Sequence, residues 1–377
     1  MKLIRLKAVA RKEFLQILRD PRSLGLAVSI PVLLLVLFGY ALTLDVDRIP
    51  TVLYDLDRTP RSRDLADRFL SSQYFQMQAA VESYAHLQEM LDTGRALMGL
   101  VIPANFARDL EMSRQVTIQV LMDGTDANTA TIALGYANAI TLLYSQDLMR
   151  EKMTRLGVGK ISPPIEPRIR IWFNPDLESK NFIVPGLIAI IMSILAAILT
   201  SGTIAREWER GSMEQLISTP IRKAELILGK LIPYFVIGMI DLALSVLMGR
   251  FLFGVSLRGS GFLLFSLASL FLLGAICQGV LVSIVTRNQL LSSQISIILS
   301  YLPTFILSGF IYPIHNMPQF IQFITYVVPG RYVVTILKGI FSKGIGLEIL
   351  WLEALLLAVY AGGMTLWAHK RFQKRIG

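Results

Sequence analysis

The 377-residue chain is 53% hydrophobic, has a mean hydropathy of +0.55 and carries 17% charged residues, against roughly 25% in an average soluble domain, so an ordinary soluble globular protein is excluded and several membrane spans are implied. Its formal net charge of +10 is uneven: residues 45–180 hold 18 acidic and 15 basic side chains, a net of −3, and the remainder a net of +13. Basic charge gathered beside apolar runs follows the positive-inside rule and argues against a nucleic-acid partner. The single cysteine, Cys277, rules out an intramolecular disulfide, and His86, His315 and His369 lack metal-ligand spacing.

Residues 1–23 are basic and amphipathic, with Leu3, Leu6, Val9, Ala10, Phe14 and Ile17 at helical spacing and Lys2, Arg5, Lys7, Arg11, Lys12 and Arg19 around them. The pattern suits an interfacial cytosolic helix, and equally a plain positive flank. Residues 24–44 run 21 positions without a charge and read as an uncleaved first span, longer than the roughly 7–15-residue core of a signal peptide. Residues 45–181 read as a water-soluble α/β domain. Strands are expected in IPTVLYDLD, YFQMQAA, ALMGLVIP and QVTIQVLMD. Between them lie a helix capped by Thr59 with Pro60 first, a second closed by Gly94, and a third in ANFARDLEM, with one long helix over Thr125–Leu156. A Pro-rich stretch near Val158–Pro175 reads as a linker back to the membrane.

The region 182–369 holds five further spans, expected at Phe182–Ala205, Leu226–Met248, Phe262–Val285, Ile295–Tyr312 and Leu347–Trp367. Lys230 and Asp241 interrupt the third. Residues 313–345, broken by Pro313, Pro318, Pro329 and Gly330, offer apolar pieces of only about 10 residues, which suit extracytoplasmic half-helices, re-entrant or interfacial. Residues 370–377 form a basic tail. The fold class is an α-helical polytopic membrane protein with six transmembrane helices and an extracytoplasmic α/β domain inserted between the first two. Both termini and the segment after the second span carry the Lys/Arg excess. That places them in the cytoplasm, and the α/β domain in the periplasm if the membrane is a bacterial inner membrane.

Between the second and third spans, Arg206 to Lys223 holds seven charged side chains. Charges in hydrocarbon cost about 2.5–3.5 kcal/mol each on insertion scales, so the segment lies at or beyond the interface. In a short helix over 206–218, Trp208, Met213, Leu216 and Ile217 share one side and leave Glu207, Arg210 and Glu214 to solvent. Thr219 then suits an N-cap and Pro220 a first helical position for the next helix, with Glu225 in its first turns. Two readings stay open on the pattern alone: a loop that sets topology, or a rigid lever pushed by a soluble partner.

The stretch AREWERGSMEQLISTPIRKAELILGK, Ala205 to Lys230, resembles the signature of the permeases of ABC type-2 transporters, in the subgroup with a large periplasmic domain. The resemblance implies a cytosolic coupling helix docked on separate ABC ATPase subunits, which bind the ATP and Mg; the permease itself carries no cofactor. It further implies pairing with a second permease copy or a paralogue, a periplasmic adaptor, and export of a drug, lipid or other amphiphile. The implied coupling contacts are Arg206, Glu207, Glu209, Arg210 and Glu214, with Trp208, Met213, Leu216 and Ile217 as the apolar face. The chain has no G-x-x-x-x-G-K-[ST] phosphate loop and no G-x-S-x-G elbow, so neither ATP hydrolysis nor a hydrolase activity is expected of it.

Asp241 is a candidate for the transport pathway, but a structural hydrogen bond or a place near the outer interface is the favoured reading, since the span could shift its register to move the acid outward. The competing functions are a membrane sensor displaying the α/β domain and a proton-coupled transporter using Asp241. Impermeant labels are expected to reach the Arg206–Lys223 segment from the cytosolic side only; labelling from outside would remove the exporter reading.

Overall fold

The computed structural model describes residues 2–41, 47–155, 172–174 and 178–372. In chain order the elements are α1 (Leu3–Leu18), α2 (Pro21–Ala41), β1 (Ile49–Asp55), α3 (Pro60–Leu70), β2 (Phe75–Ala80), α4 (Tyr84–Asp92), β3 (Met98–Ile102), α5 (Phe106–Glu111), β4 (Gln119–Met122) and α6 (Ala127–Arg155). Then follow α7 (Lys180–Ser201), α8 (Ala205–Glu209), α9 (Ser212–Ser218), α10 (Lys223–Phe251), α11 (Gly261–Thr286), α12 (Gln289–Ser296), α13 (Leu302–Leu307), α14 (Gln319–Thr325), α15 (Pro329–Lys338) and α16 (Leu347–Arg371). The chain divides into two units, Leu44–Arg170 and the combination of Met1–Thr43 with Ile171–Gly377.

In the first of these, a four-stranded sheet of order β2-β1-β3-β4 has β1 parallel to both β2 and β3, with β4 antiparallel at the edge. Ile49, Met98, Leu100 and Ile102 share a core with Leu65 and Phe69 of α3, Phe106 of α5 and Ala133 and Tyr144 of α6. Val52 and Val101 pack with Leu87 and Met90 of α4 in a second core. Local chemistry explains the helix starts. Thr59 accepts the Ser62 N–H while Ser62 accepts the Thr59 N–H at 3.0 Å, and Pro60 needs no donor in the first turn. Ser83 caps α4 by accepting the His86 N–H at 3.2 Å, and Gly94 takes φ +67° beyond its end. Arg61 donates to Glu151 at 2.9 Å, which ties α3 to α6 and holds that carboxyl below its usual range. The expected fourth strand is shorter than its apolar run, and the Pro-rich linker near Val158–Pro175 falls mainly outside the described residues.

Among the described residues of the second unit, five helices are long and apolar enough to cross a membrane: Lys180–Glu209, Lys223–Phe251, Gly261–Thr286, Gln289–Leu307 and Leu347–Arg371. The count rises to six if Gln319–Thr325 and Pro329–Lys343, bent by 83°, are taken together; α2 contributes the shorter apolar stretch Ala27–Tyr40. Helix α7 lies at the centre, buried through most of its length. Neighbours approach it through small residues: a side chain at Gly279 of α11 would overlap Thr200, and one at Gly186 would overlap Phe310. By contrast α16 leaves Ile349, Trp351, Leu355 and Val359 exposed, an apolar face suited to lipid.

Span boundaries differ from the sequence reading where caps and prolines decide them. The helix expected at Ile295–Tyr312 starts at Gln289, capped by Asn288, and ends at Leu307. Between α12 and α13 it passes through a π-helical turn at Ile297–Tyr301. Pro303 has no N–H for the carbonyl of Leu299 four residues earlier, and that oxygen accepts from Gln278 of α11 at 3.4 Å instead. The last helix runs on to Arg371, so Lys370 and Arg371 of the expected tail are helical and Phe372 is buried; residues 373–377 lie outside the described part. Gly279→Val is expected to destabilise the detergent-purified protein by about 1–3 kcal/mol, the cost typical of an overpacked core, and a lowered melting temperature reads it out.

Candidate functional site

The segment after α7 is fastened before it can form a free loop. The Ser283 hydroxyl of α11 accepts the N–H groups of Ile204 and Ala205 at 3.0 and 2.9 Å, so two otherwise orphaned donors at the start of α8 are satisfied by another helix. Helix α8 lasts five residues and Gly211 then takes φ +70°, a left-handed conformation that glycine adopts at little cost, before α9 begins. The expected single helix over 206–218 is therefore two short helices with a kink between them. The expected helix start at Thr219 and Pro220 is also corrected. Thr219 closes α9 by donating to the carbonyl of Leu216 at 2.6 Å, and α10 begins only at Lys223, where Glu225 accepts the Arg222 N–H at 3.0 Å.

The candidate residues separate into an inward and an outward set. Met213 is fully buried, and Trp208, Leu216 and Ile217 pack against the core of their own unit, so the apolar face points into this chain. The guanidinium of Arg287 stacks over the Trp208 ring at 4.5 Å. Leu216 and Ile217 sit beside Leu226 and Phe372. Arg206 donates to the Gln289 side-chain oxygen at 3.3 Å, and Glu209 accepts from the Gln289 backbone at 2.8 Å and from its amide nitrogen. The start of α12 is thereby tied to α8. Arg210 and Glu214 are exposed, as is Glu209 beyond its contact with Gln289.

Glu207 departs from expectation most. It was placed in solvent, yet it is 5% exposed, because cations and a hydroxyl surround it. Its carboxylate accepts from Lys12 of α1 at 2.6 Å, from Lys230 of α10 at 3.1 Å and from Ser212 of α9. Lys230 is 1% exposed, and also donates to Glu13 of α1 at 2.5 Å and to the carbonyl of Thr203 at 3.2 Å. Two carboxylates and the Lys230 ammonium thus share one buried centre, with the half-exposed Lys12 at its edge, and each charge has an opposite partner.

Sequence reasoning missed Glu13 and gave Lys230 no partner. The signal was present: Glu13 stands one turn from both Val9 and Ile17 on the buried stripe of α1, and Lys230 stands in an apolar run. Two opposite charges in apolar places ask for each other. Along the rest of α1, the Lys2 N–H donates to Glu225 at 2.7 Å, Arg5 donates to the carbonyl of Pro220, and Val9 packs so closely on Gly229 that a side chain there would come within 2.8 Å of it.

An open cleft of about 1030 Å3 lies between α1 and α8, with Arg11, Lys12, Arg19, Arg206 and Arg210 among its lining. Asp241 lies apart from all this, inside α10. It is buried, and among the described residues its Oδ2 has no hydrogen-bond partner, as is true of Ser245 Oγ one turn further on. No group of three or more candidate metal ligands occurs among the described residues.

A family model described as ABC-2 family transporter protein matches residues 21–368, and the chain belongs to that family. It is 38% identical over 341 residues to an Escherichia coli K12 protein named "Probable multidrug ABC transporter permease YbhS", covering 90% of this chain and 89% of that one. It is 30% identical over 374 residues to "Probable multidrug ABC transporter permease YbhR" of the same organism, covering 99% of both chains. To the E. coli "Inner membrane transport permease YhhJ" it is 30% identical over 332 residues, with 87% of this chain and 86% of that one covered. The chain is a multi-pass membrane permease of the ABC transporter class, and permeases of this class work with ABC ATPase subunits.

Lys230→Ala leaves Glu13 and Glu207 without their shared cation, and is expected to cost about 3–5 kcal/mol of stability, the usual penalty for stranding a buried charge. Unfolding of the purified protein in detergent measures it, with Arg210→Ala as an exposed control expected to change little.

Proposed function

We propose that this permease exports drugs, lipids or other amphiphilic molecules outward across a bacterial inner membrane, and that a separate ATPase drives it through α8 and α9. The observation that carries the reading is the anchorage of α8 and α9. Ser283, Gln289 and Lys230 tie this exposed segment to α11, α12 and α10, so a push on it reaches several spans at once. The outward set of Glu209, Arg210 and Glu214 is the docking surface, and the basic cleft beside Arg210 extends it. ATP and Mg belong to the ATPase chain. Binding of ATP draws two ATPase subunits together, and the spans exchange an inward-open for an outward-open arrangement.

Six spans, formed by α2, α7, α10, α11, α12 with α13, and α16, put both termini in the cytoplasm, with α14 and α15 as half-helices on the outer side. Two clusters of contacts support this arrangement. Helix α1, the α8–α9 segment and Phe372 meet at one end of the helical unit. Ser342 bonds the carbonyl of Asn181 and Lys338 that of Gly309, which gathers the loop residues after α13 with the start of α7. The α/β unit of Leu44–Arg170 then stands in the periplasm, as the contact for an adaptor protein, and a second permease, identical or paralogous, completes the pathway. Two of the three E. coli relatives are named as probable multidrug permeases, which supports a multidrug role.

The double variant Glu209→Lys with Arg210→Glu tests the docking surface. It is expected to insert at normal abundance, to lose co-purification with the ATPase in mild detergent and to lose export by at least ten-fold. Full export at normal abundance would remove the assignment.

A further inference from the structure

The ionic centre at Lys230 joins three separate stretches of chain: α1 through Lys12 and Glu13, the end of the second span through Thr203 and Glu207, and the third span through Lys230 itself. Ser212 brings in the first residue of α9. Among the described residues, Lys12 links α1 to α8 directly and Glu13 does so by way of Lys230, whereas Lys2 bonds Glu225 in the first turn of α10 and Arg5 bonds Pro220 before it. A buried ion cluster of this kind is a poor way to gain stability, since apolar side chains of the same volume do as well or better. Directed bonds supply something that apolar packing lacks, because they fix the register between helices that could otherwise slide past one another.

We propose that Lys12, Glu13, Glu207 and Lys230 form a transmission joint, through which movement of α8 and α9 is passed to α1 as well as to the third span. Helix α1 is then a moving part of the drive and not a passive float on the membrane surface. Glu207 is the hub, since both cations and Ser212 converge on its carboxylate, and Glu13 and Lys230 are positioning residues that act through it. The proposal rests on the reading of α8 and α9 as the ATPase-driven element.

The test uses the complete transporter, permease with its ATPase, in lipid nanodiscs, with Cys277 replaced by serine and spin labels at exposed Ile4 of α1, Gln215 of α9 and Val285 at the end of α11. Distances are compared without nucleotide and with ATP trapped by vanadate. In the otherwise unaltered chain, the Ile4–Gln215 distance is expected to stay constant while both labels shift against Val285, by about 5 Å if the step is one helical turn. In Glu13→Leu/Lys230→Met/Glu207→Leu, whose apolar side chains keep the core filled, Gln215 is expected to move alone. Lys12→Met/Glu13→Gln severs α1 while Lys230 keeps Glu207, and is expected to behave in the same way. Lys230→Arg, which can still bridge two carboxylates, is expected to restore the joint movement.

The proposal is overturned if Ile4 stays fixed against Val285 while Gln215 moves in the unaltered chain, or if both severed variants move α1 as the unaltered chain does. Should Gln215 itself fail to move against Val285 on nucleotide binding, the coupling reading of α8 and α9 falls, and this inference falls with it.

Discussion

A lysine ammonium cannot be buried in an apolar helix bundle unless anions are brought to it, and Lys230 is 1% exposed. That requirement organises the end of the helical unit where the candidate site lies. Glu13 has to come from the N-terminal helix and Glu207 from the segment after the second span, and neither can reach without bringing its helix along. The approach of α1 is possible because Gly229, next to Lys230, presents no side chain to Val9. The clamp on α1, the kink at Gly211 and the inward turn of Trp208 and Met213 are parts of one arrangement around a single charge.

The same arrangement divides the α8–α9 segment into two faces. Its apolar side chains and Glu207 pack into the permease itself, and its exposed polar side chains face outward. A segment built only for binding would leave its hydrophobic residues outward, as a docking helix does. Here Trp208 lies beneath Arg287 and Leu216 beside Phe372, so what faces outward is hydrophilic and held rigidly from behind. Rigidity of this kind suits the transfer of movement, because packed helices shift as bodies instead of deforming continuously.

Local signals were legible in the sequence, and long-range ones were not. Thr59 with Pro60, Ser83 and Gly94 announce helix ends through bonds to residues three or four positions away, and the strands at Ile49–Asp55, Phe75–Ala80 and Met98–Ile102 follow from short apolar runs. The dense Arg206–Lys230 signature located the family and the segment. It did not disclose that Glu207 turns inward, because its partners are Lys12 and Lys230 and the first of these is 195 residues away. Thr219 and Pro220 look like a helix start, yet they belong to the junction that receives Arg5. The early start of α12 at Gln289 likewise depends on contacts with Arg206 and Glu209 that no local pattern records. Asp241 remained ambiguous in sequence because a carboxylate's surroundings inside a span depend on which neighbours pack there.

The distance along the chain between Glu13 and Lys230 also sets an order of biogenesis. The two are 217 residues apart, so at roughly 5–20 residues per second the lysine leaves the ribosome on the order of 10–40 s after the glutamate. Throughout that interval Glu13 lacks Lys230, and the first helix lacks the surface around Gly229 on which it docks. It can settle there only after α10 has been synthesised, which makes seating of the N-terminal helix a late step in assembly of the helical unit.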